Sequence, residues 1–227
     1  MIKLLKILGI VSISAMVWGM YARIDKDYGL RVHMSLGELC QSSVAIVIGE
    51  VISMEDKVTG YMDFCPTSKI VETGTRIRIW EDVKKRIVDS VVTVRLDKGL
   101  QNEAEFSVGE TVFVFLEDTH RMWKEVVLLD LPDSNTLFVV GKEKGKFKVV
   151  NGSVRADRYY NTRNLGIELE LAKDIARSAI KYPVTVDAKL DTLYEEANAM
   201  YSKLGKGYLE IKDYVYQKLE EIVELGK

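Results

Sequence analysis

Ser43–Met54 reads SVAIVIGEVISM, an apolar, β-branched run long enough to cross a compact domain as a central strand. Val44, Ile46 and Ile48 alternate with Ala45, Val47 and Gly49, so both faces are apolar, as in a strand buried on both sides or curling into a barrel. Gly49 would mark the bend that a barrel needs. A buried helix is the competing reading of any short apolar run, and the β-branched content favours strand by roughly three to one.

Just upstream, Ser35-Leu36-Gly37-Glu38 has the S-x-x-E form of a capping box, which predicts a short helix ending near Ser42 and leading straight into the strand. Downstream, Glu55–Ser68 holds Gly60, Cys65 and Pro66 and reads as a long loop. Lys69–Trp80 carries a Gly74 turn and the alternation Arg76-Ile77-Arg78-Ile79-Trp80, a half-exposed strand or hairpin with Trp80 as a rim or core residue. Asp89–Leu96, Thr111–Leu116, Val126–Leu131 and Thr136–Val140 read as further strands, and Ser107–Glu110 as a turn. Asn151-Gly152, between Val149-Val150 and Ser153-Val154, is the signal of a two-residue hairpin. Strands this close in sequence, joined by hairpin turns, argue for a small antiparallel sheet or barrel.

From about Asn164 the period changes. Ile167, Leu171, Ile175 and Ala179 recur every four residues, a helix ending before Pro183. After a Pro183–Val186 connection, Leu190, Leu193, Ala197, Met200 and Leu204 form the seam of a second helix, and Ile211, Val215, Leu219 and Ile222 that of a third. Gly205 and Gly207, at about 1 kcal/mol each in a helix interior, predict a break between the two. Tyr194, Tyr201 and Tyr208 stand beside the seam. Leu193, Tyr194, Ala197, Met200, Tyr201, Leu204, Tyr208 and Ile211 are therefore candidates for a subunit interface, with ordinary core packing as the alternative.

Met1–Met20 is MIKLLKILGIVSISAMVWGM: Lys3 and Lys6 precede an uncharged stretch of 14 residues, Ile7–Met20. This is the pattern of a secretory signal or an N-terminal membrane anchor, and it places the remainder of the chain outside the cytoplasm. In an oxidising compartment Cys40 and Cys65 would pair, closing a loop of about 25 residues for a gain on the order of 3 kcal/mol, two buried thiols being the alternative. A formal charge of −2 over 227 residues gives no global attraction to phosphate backbones. The Lys84-Lys85-Arg86 cluster reads as a solvated turn. His33 and His120 are isolated, and with two cysteines they lack the spacing of a structural zinc site. Glu117, Asp118 and His120 lie close in sequence, yet a charge-rich turn accounts for them. Gly145 in GKEKGKF lacks the spacing of a phosphate-binding loop. No catalytic group, metal ligand or cofactor site is assigned.

The succession SLGELCQSSVAIVIGEVISM, SVVTVRLDKGL, FSVGETVFVFL and LFVVGKEKGKFKVVNGSV resembles secreted microbial proteins related to netrin-like domains, the family of tissue inhibitors of metalloproteinases. The resemblance covers Ser35 to about Arg155. Its distinctive parts are the "VGE" turn, Val108-Gly109-Glu110, and the "GKF" step, Gly145-Lys146-Phe147. It implies an OB-like barrel preceded by a short helix, and an exported binding module. In the animal inhibitors a cysteine at the mature N-terminus chelates the protease zinc. No cysteine stands near a plausible cleavage point here, so the resemblance carries over no active residue.

The expectation is an α+β chain: a signal or anchor at 1–22, a spacer at 23–34, a small antiparallel OB-like barrel at 35–160 and a helical tail at 161–227. The expected function is that of a non-enzymatic, exported or membrane-tethered structural or interaction protein, without cofactor or nucleic acid. It would join a protein partner or a second copy of itself through the barrel and the C-terminal helices. The alternative is an inhibitor-like module acting on an extracytoplasmic enzyme through the Glu55–Ser68 segment.

Overall fold

Local hydrogen bonding sets the start of the first helix, α1 (Leu36–Ser42). The Glu38 N–H donates to Ser35 Oγ at 3.1 Å, and the Ser35 N–H donates to Glu38 Oε2 at 3.0 Å, the reciprocal pair of a capping box. The computed structural model describes residues 34–62, 65–97, 103–118, 126–128, 136–156, 167–202 and 208–227. The N-terminal apolar segment, His33 and His120 lie outside them. Among the described residues no helix is long and apolar enough to cross a membrane.

The chain is α+β, with a large mixed sheet. It divides into two units: Ser42–Lys146, and the described residues up to Gln41 together with Phe147–Lys227. The expected boundary near residue 160 thus falls at 146, and α1 groups with the helices rather than with the strands it precedes.

The first unit holds β1 (Ala45–Met62), β2 (Cys65–Asp82), β3 (Val91–Asp97), β4 (Thr111–Glu117), β5 (Val126–Leu128) and β6 (Thr136–Val139). Antiparallel β1 and β2 pair along their lengths, and Ala45–Glu50 of β1 also pairs with β4. β2 pairs with β3, and β6 pairs antiparallel with β4. β3 and β6 are parallel, so the sheet is mixed where a wholly antiparallel one was expected. Ala45, Val47, Val51, Ile77, Val94, Val112 and Val114 belong to one buried cluster. On the opposite face of the β1–β4 pair, Ile46 lies across from Phe115 and Ile48 from Phe113, and all four are buried. The unbroken apolar character of Ser43–Met54 therefore reflects burial of both faces.

Glu55–Ser68 is not a loop. β1 runs to Met62 and β2 begins at Cys65, so most of the segment is a two-stranded ribbon. Its polar residues are paired across the strands: Lys57 stands opposite Glu72, and Thr73 Oγ1 donates to Asp56 Oδ1 at 2.7 Å. Pro66 falls at the start of a strand, where a missing N–H is tolerated. Gly74, expected in a turn, lies within β2 opposite Glu55 and Arg95.

The second unit resumes one residue into β7 (Lys146–Val150), which forms a hairpin with β8 (Ser153–Ala156), and continues with β9 (Ile167–Glu168), α2 (Leu169–Lys181), α3 (Pro183–Ser202) and α4 (Tyr208–Glu224). Asn151 (φ 51°) and Gly152 (φ 73°) turn the hairpin with the two positive φ values of a type I′ loop. Ile167, read as the first residue of the helical stripe, instead pairs with Val154 in the sheet. Pro183 is the first residue of α3 rather than part of a connection, a position where its fixed φ suits the helix and its N–H is not needed. The three helices pack on one another, burying Ile175 and Ala179 of α2, Leu190 and Leu193 of α3, and Val215 and Leu219 of α4.

Tyr214 links α4 to α3 by donating its O–H to Glu196 Oε2 at 2.6 Å, and this bond to a carboxylate pushes the phenol up to about 12. Its folded pKa thus lies above the unfolded one of about 10. Its contribution is full below pH ~10 and is lost as pH rises through about 12. An absorbance titration of the tyrosines should show one group ionising last, and Tyr214→Phe should remove that step.

Candidate functional site

Several ionisable side chains of the strand unit hold the fold together. Asp82, at the end of β2, accepts four backbone N–H groups: Ile46 (3.2 Å) and Lys84 (3.0 Å) on Oδ1, Arg86 (2.6 Å) and Ile87 (3.0 Å) on Oδ2. The Lys84 ammonium donates to the Ser43 carbonyl. Lys84-Lys85-Arg86 is thus a turn built round one carboxylate. Asp82 was not singled out in the sequence, although an Asp opening a polar turn is the available signal.

The "VGE" and "GKF" motifs meet. Lys146 Nζ lies 3.0 Å from Glu110 Oε1, with side-chain exposures of 1% and 6%, and donates to the Glu105 carbonyl at 2.5 Å. The ammonium also stands 5.1 Å from the centroid of the Phe106 ring. Glu110 Oε1 accepts the Ser107 N–H at 2.9 Å, closing its own turn. A second buried pair joins Arg95 of β3 to Glu72 of β2 at 2.5 Å. These are structural clamps. Among the described residues no group of three His, Cys, Asp or Glu side chains could hold a metal ion.

Cys40 is a buried thiol whose Sγ lies 3.7 Å from the Ala176 carbonyl oxygen of α2, so the expected Cys40–Cys65 disulfide is corrected. The thiol acts as a small buried side chain of the helical unit. Cys65 opens β2, its backbone opposite Met62, and its side chain lies outside the described residues.

α1 is docked through Gly37, whose N–H donates to Asp187 Oδ1 of α3 at 2.9 Å. Burial raises the Asp187 carboxyl above its ordinary range, and the Glu38 and Asp191 charges add to this. Hydrogen bonds from Ser35 and Gly37 partly offset it. With the folded pKa raised, the contribution of Asp187 is full below its unfolded value of about 3.8 and is lost as pH rises through the folded one. Asp187→Asn keeps an acceptor for Gly37 and removes the charge. Urea midpoints should therefore rise in the variant relative to the parent between pH ~4 and pH ~7.

Of the proposed interface residues, Leu193, Ala197 and Ile211 are buried within the chain, while Tyr194 and Met200 are half-buried. Leu193, Ala197 and Ile211 thus pack within the chain's own helices. Leu204 and the side chains of Tyr201 and Tyr208 lie outside the described residues.

A few large apolar side chains of the strand unit are exposed. Ile48 stands opposite Glu81 and Gly49 opposite Ile79, so Trp80 is the extra residue of a β-bulge, and it is 56% exposed. Val88, in the connection to β3, is fully exposed. The Ile79 N–H donates to the Ser90 carbonyl at 2.8 Å and returns this connection alongside the bulge. Trp80, at the end of β2, and Val88, in the connection that follows, are thus two exposed apolar side chains of the strand unit. Comparison with protein-family models, curated proteins and solved structures returned no match.

Proposed function

We propose that the chain is a non-enzymatic, membrane-tethered or exported interaction protein whose strand unit is an OB-like barrel of the netrin-like kind. Support for the barrel is the circuit of pairings: β1 to β2, β2 to β3, β3 to β6, β6 to β4, and β4 back to β1. The parallel β3–β6 step is the one that a five-stranded Greek-key barrel requires. The membrane or export assignment rests on the Met1–Met20 sequence, which puts the rest outside the cytoplasm.

The observation that carries the interaction reading is Trp80. A half-exposed tryptophan held by a bulge has low conformational freedom to lose on binding, and such residues anchor interfaces. Isolation of the full chain from its membranes in mild detergent should give a complex with a protein partner or with itself. Trp80→Ala should release that complex while shifting the melting temperature by no more than about 2 °C, as for a surface substitution. A monomeric, partnerless parent chain would overturn the reading.

The inhibitor-like reading draws on the β1–β2 ribbon, where Glu55, Asp56 and Lys57 are exposed beyond the stretch that β4 pairs. It predicts that a captured partner is an extracytoplasmic enzyme, and that Lys57→Glu, rather than Trp80→Ala, releases it.

A further inference from the structure

Three apolar side chains of the helical unit are exposed within five residues: Ile180 (37%), Tyr182 (49%) and Val184 (80%). They stand at the corner where α2 ends and α3 begins, with Pro183 among them. The corner is fixed from both sides. The Tyr182 N–H donates to the Ser178 carbonyl at 2.8 Å, and the Tyr182 carbonyl accepts the Val186 N–H at 2.9 Å. Ala179 and Val186, on either side, are fully buried. The apolar groups are therefore held out by a rigid backbone rather than carried on a mobile tip.

The N-terminal part of the chain arrives at the same corner. A Cβ on Gly37 would lie 2.9 Å from Pro183 Cβ, so the first turn of α1 is packed against the proline that separates Tyr182 from Val184. Met34 is three residues earlier. Only residues 21–33 separate it from the apolar run Met1–Met20, a span of at most about 45 Å when extended.

We propose that the Ile180-Tyr182-Val184 corner docks on the headgroup–acyl boundary of the bilayer that holds Met1–Met20. This rests on the membrane-tethered reading above. Two aliphatic side chains with a tyrosine between them suit that boundary, where an aromatic ring is buried and its hydroxyl stays wet. The nearby cations already have partners in the chain: Lys181 with the Gly226 carbonyl, Lys227 with Glu224, and Arg177 with Asp174. The attraction is therefore apolar and independent of lipid charge. A corner this small binds weakly from solution, but a short tether raises its effective concentration at the surface to the order of millimolar. Docking in cis sets the orientation in which the helical unit is held at the membrane.

The test reconstitutes the full chain, with Cys65→Ser, in neutral phosphatidylcholine vesicles containing nitroxide-labelled lipid. A fluorophore is placed at Val184→Cys or, as control, at Asn151→Cys. Asn151 is exposed in the β7–β8 turn beside the start of α2, where the Leu169 N–H donates to the Gly152 carbonyl. The 13 residues of α2 put this about 18 Å from the corner. The expected result is flotation of the chain with the vesicles and lipid quenching several-fold greater at 184 than at 151, unchanged on raising the salt. Flotation with equal quenching at the two sites overturns the docking alone. A blue-shifted emission at 184 without lipid quenching means that a second protein copy covers the corner, and also overturns it. Failure to float with the vesicles removes the tether, and the docking with it.

Discussion

Gly49→Ala is expected to destabilise the strand unit by about 3 kcal/mol, moving the thermal midpoint down by roughly 10 °C. Replacing a glycine in a strand ordinarily gains about 0.4–1 kcal/mol by restricting the unfolded chain. Here the methyl group has nowhere to go. It would lie 2.2 Å from the Arg78 carbonyl oxygen and 2.8 Å from Ile77 Cγ2. The first is backbone, held in the β1–β2 ladder, and Ile77 is part of the buried cluster, so neither can turn aside. The close approach follows from the bulge that places Trp80 between the residues facing Ile48 and Gly49. Relief of the clash requires the bulge to move and Trp80 with it. Gly49→Ala should therefore also weaken any complex that depends on Trp80, whereas Gly74→Ala should be mild, since its added carbon meets only the Glu55 carbonyl oxygen at an ordinary 3.7 Å. Urea unfolding with an unchanged slope and a lowered midpoint would establish the first effect. Equal midpoints for Gly49→Ala and the parent would rule it out.

What the sequence made legible is what neighbouring residues decide. The Ser35/Glu38 capping box, the Asn151-Gly152 turn and the apolar run after Ser43 each depend on side chains a few positions apart, and each stands as expected. The failures are non-local. Glu55–Ser68 reads as a loop because it holds Gly60, Cys65 and Pro66, but Asp56 and Lys57 find Thr73 and Glu72 across the ribbon. Cys40 reads as half of a disulfide because Cys65 is the only other cysteine. Its actual neighbour is a carbonyl of a helix 136 residues away. The helical seam was legible as a stripe, but a 3-4 spacing cannot say whether its partner is another copy or the next helix. The structure gives the next helix for Leu193, Ala197 and Ile211. Nothing in the spacing could have linked Gly37 to Pro183 and Asp187, which are some 150 residues away.

The two motifs behind the netrin-like resemblance make the sharpest case of such a link, and the largest expected effect. Lys146→Met should destabilise the strand unit by about 3–5 kcal/mol, because it leaves the Glu110 carboxylate buried without its cation. Burial of both side chains is nearly complete, so water cannot replace the lost ammonium. The variant also forfeits the bond to the Glu105 carbonyl and the contact with the Phe106 ring. The double variant Lys146→Met/Glu110→Gln separates the cost of an orphaned charge from the worth of the pair. Glutamine still offers an oxygen to the Ser107 N–H, which Glu110 accepts at 2.9 Å, and methionine fills the space of the lysine stem. The double variant should therefore lie within about 2 kcal/mol of the parent, above Lys146→Met alone, since a buried ion pair adds little over a well-packed neutral one. If it were as unstable as the single variant, the clamp would owe its strength to the lysine's carbonyl bond. The VGE and GKF motifs would then share a location but not an interaction that either needs.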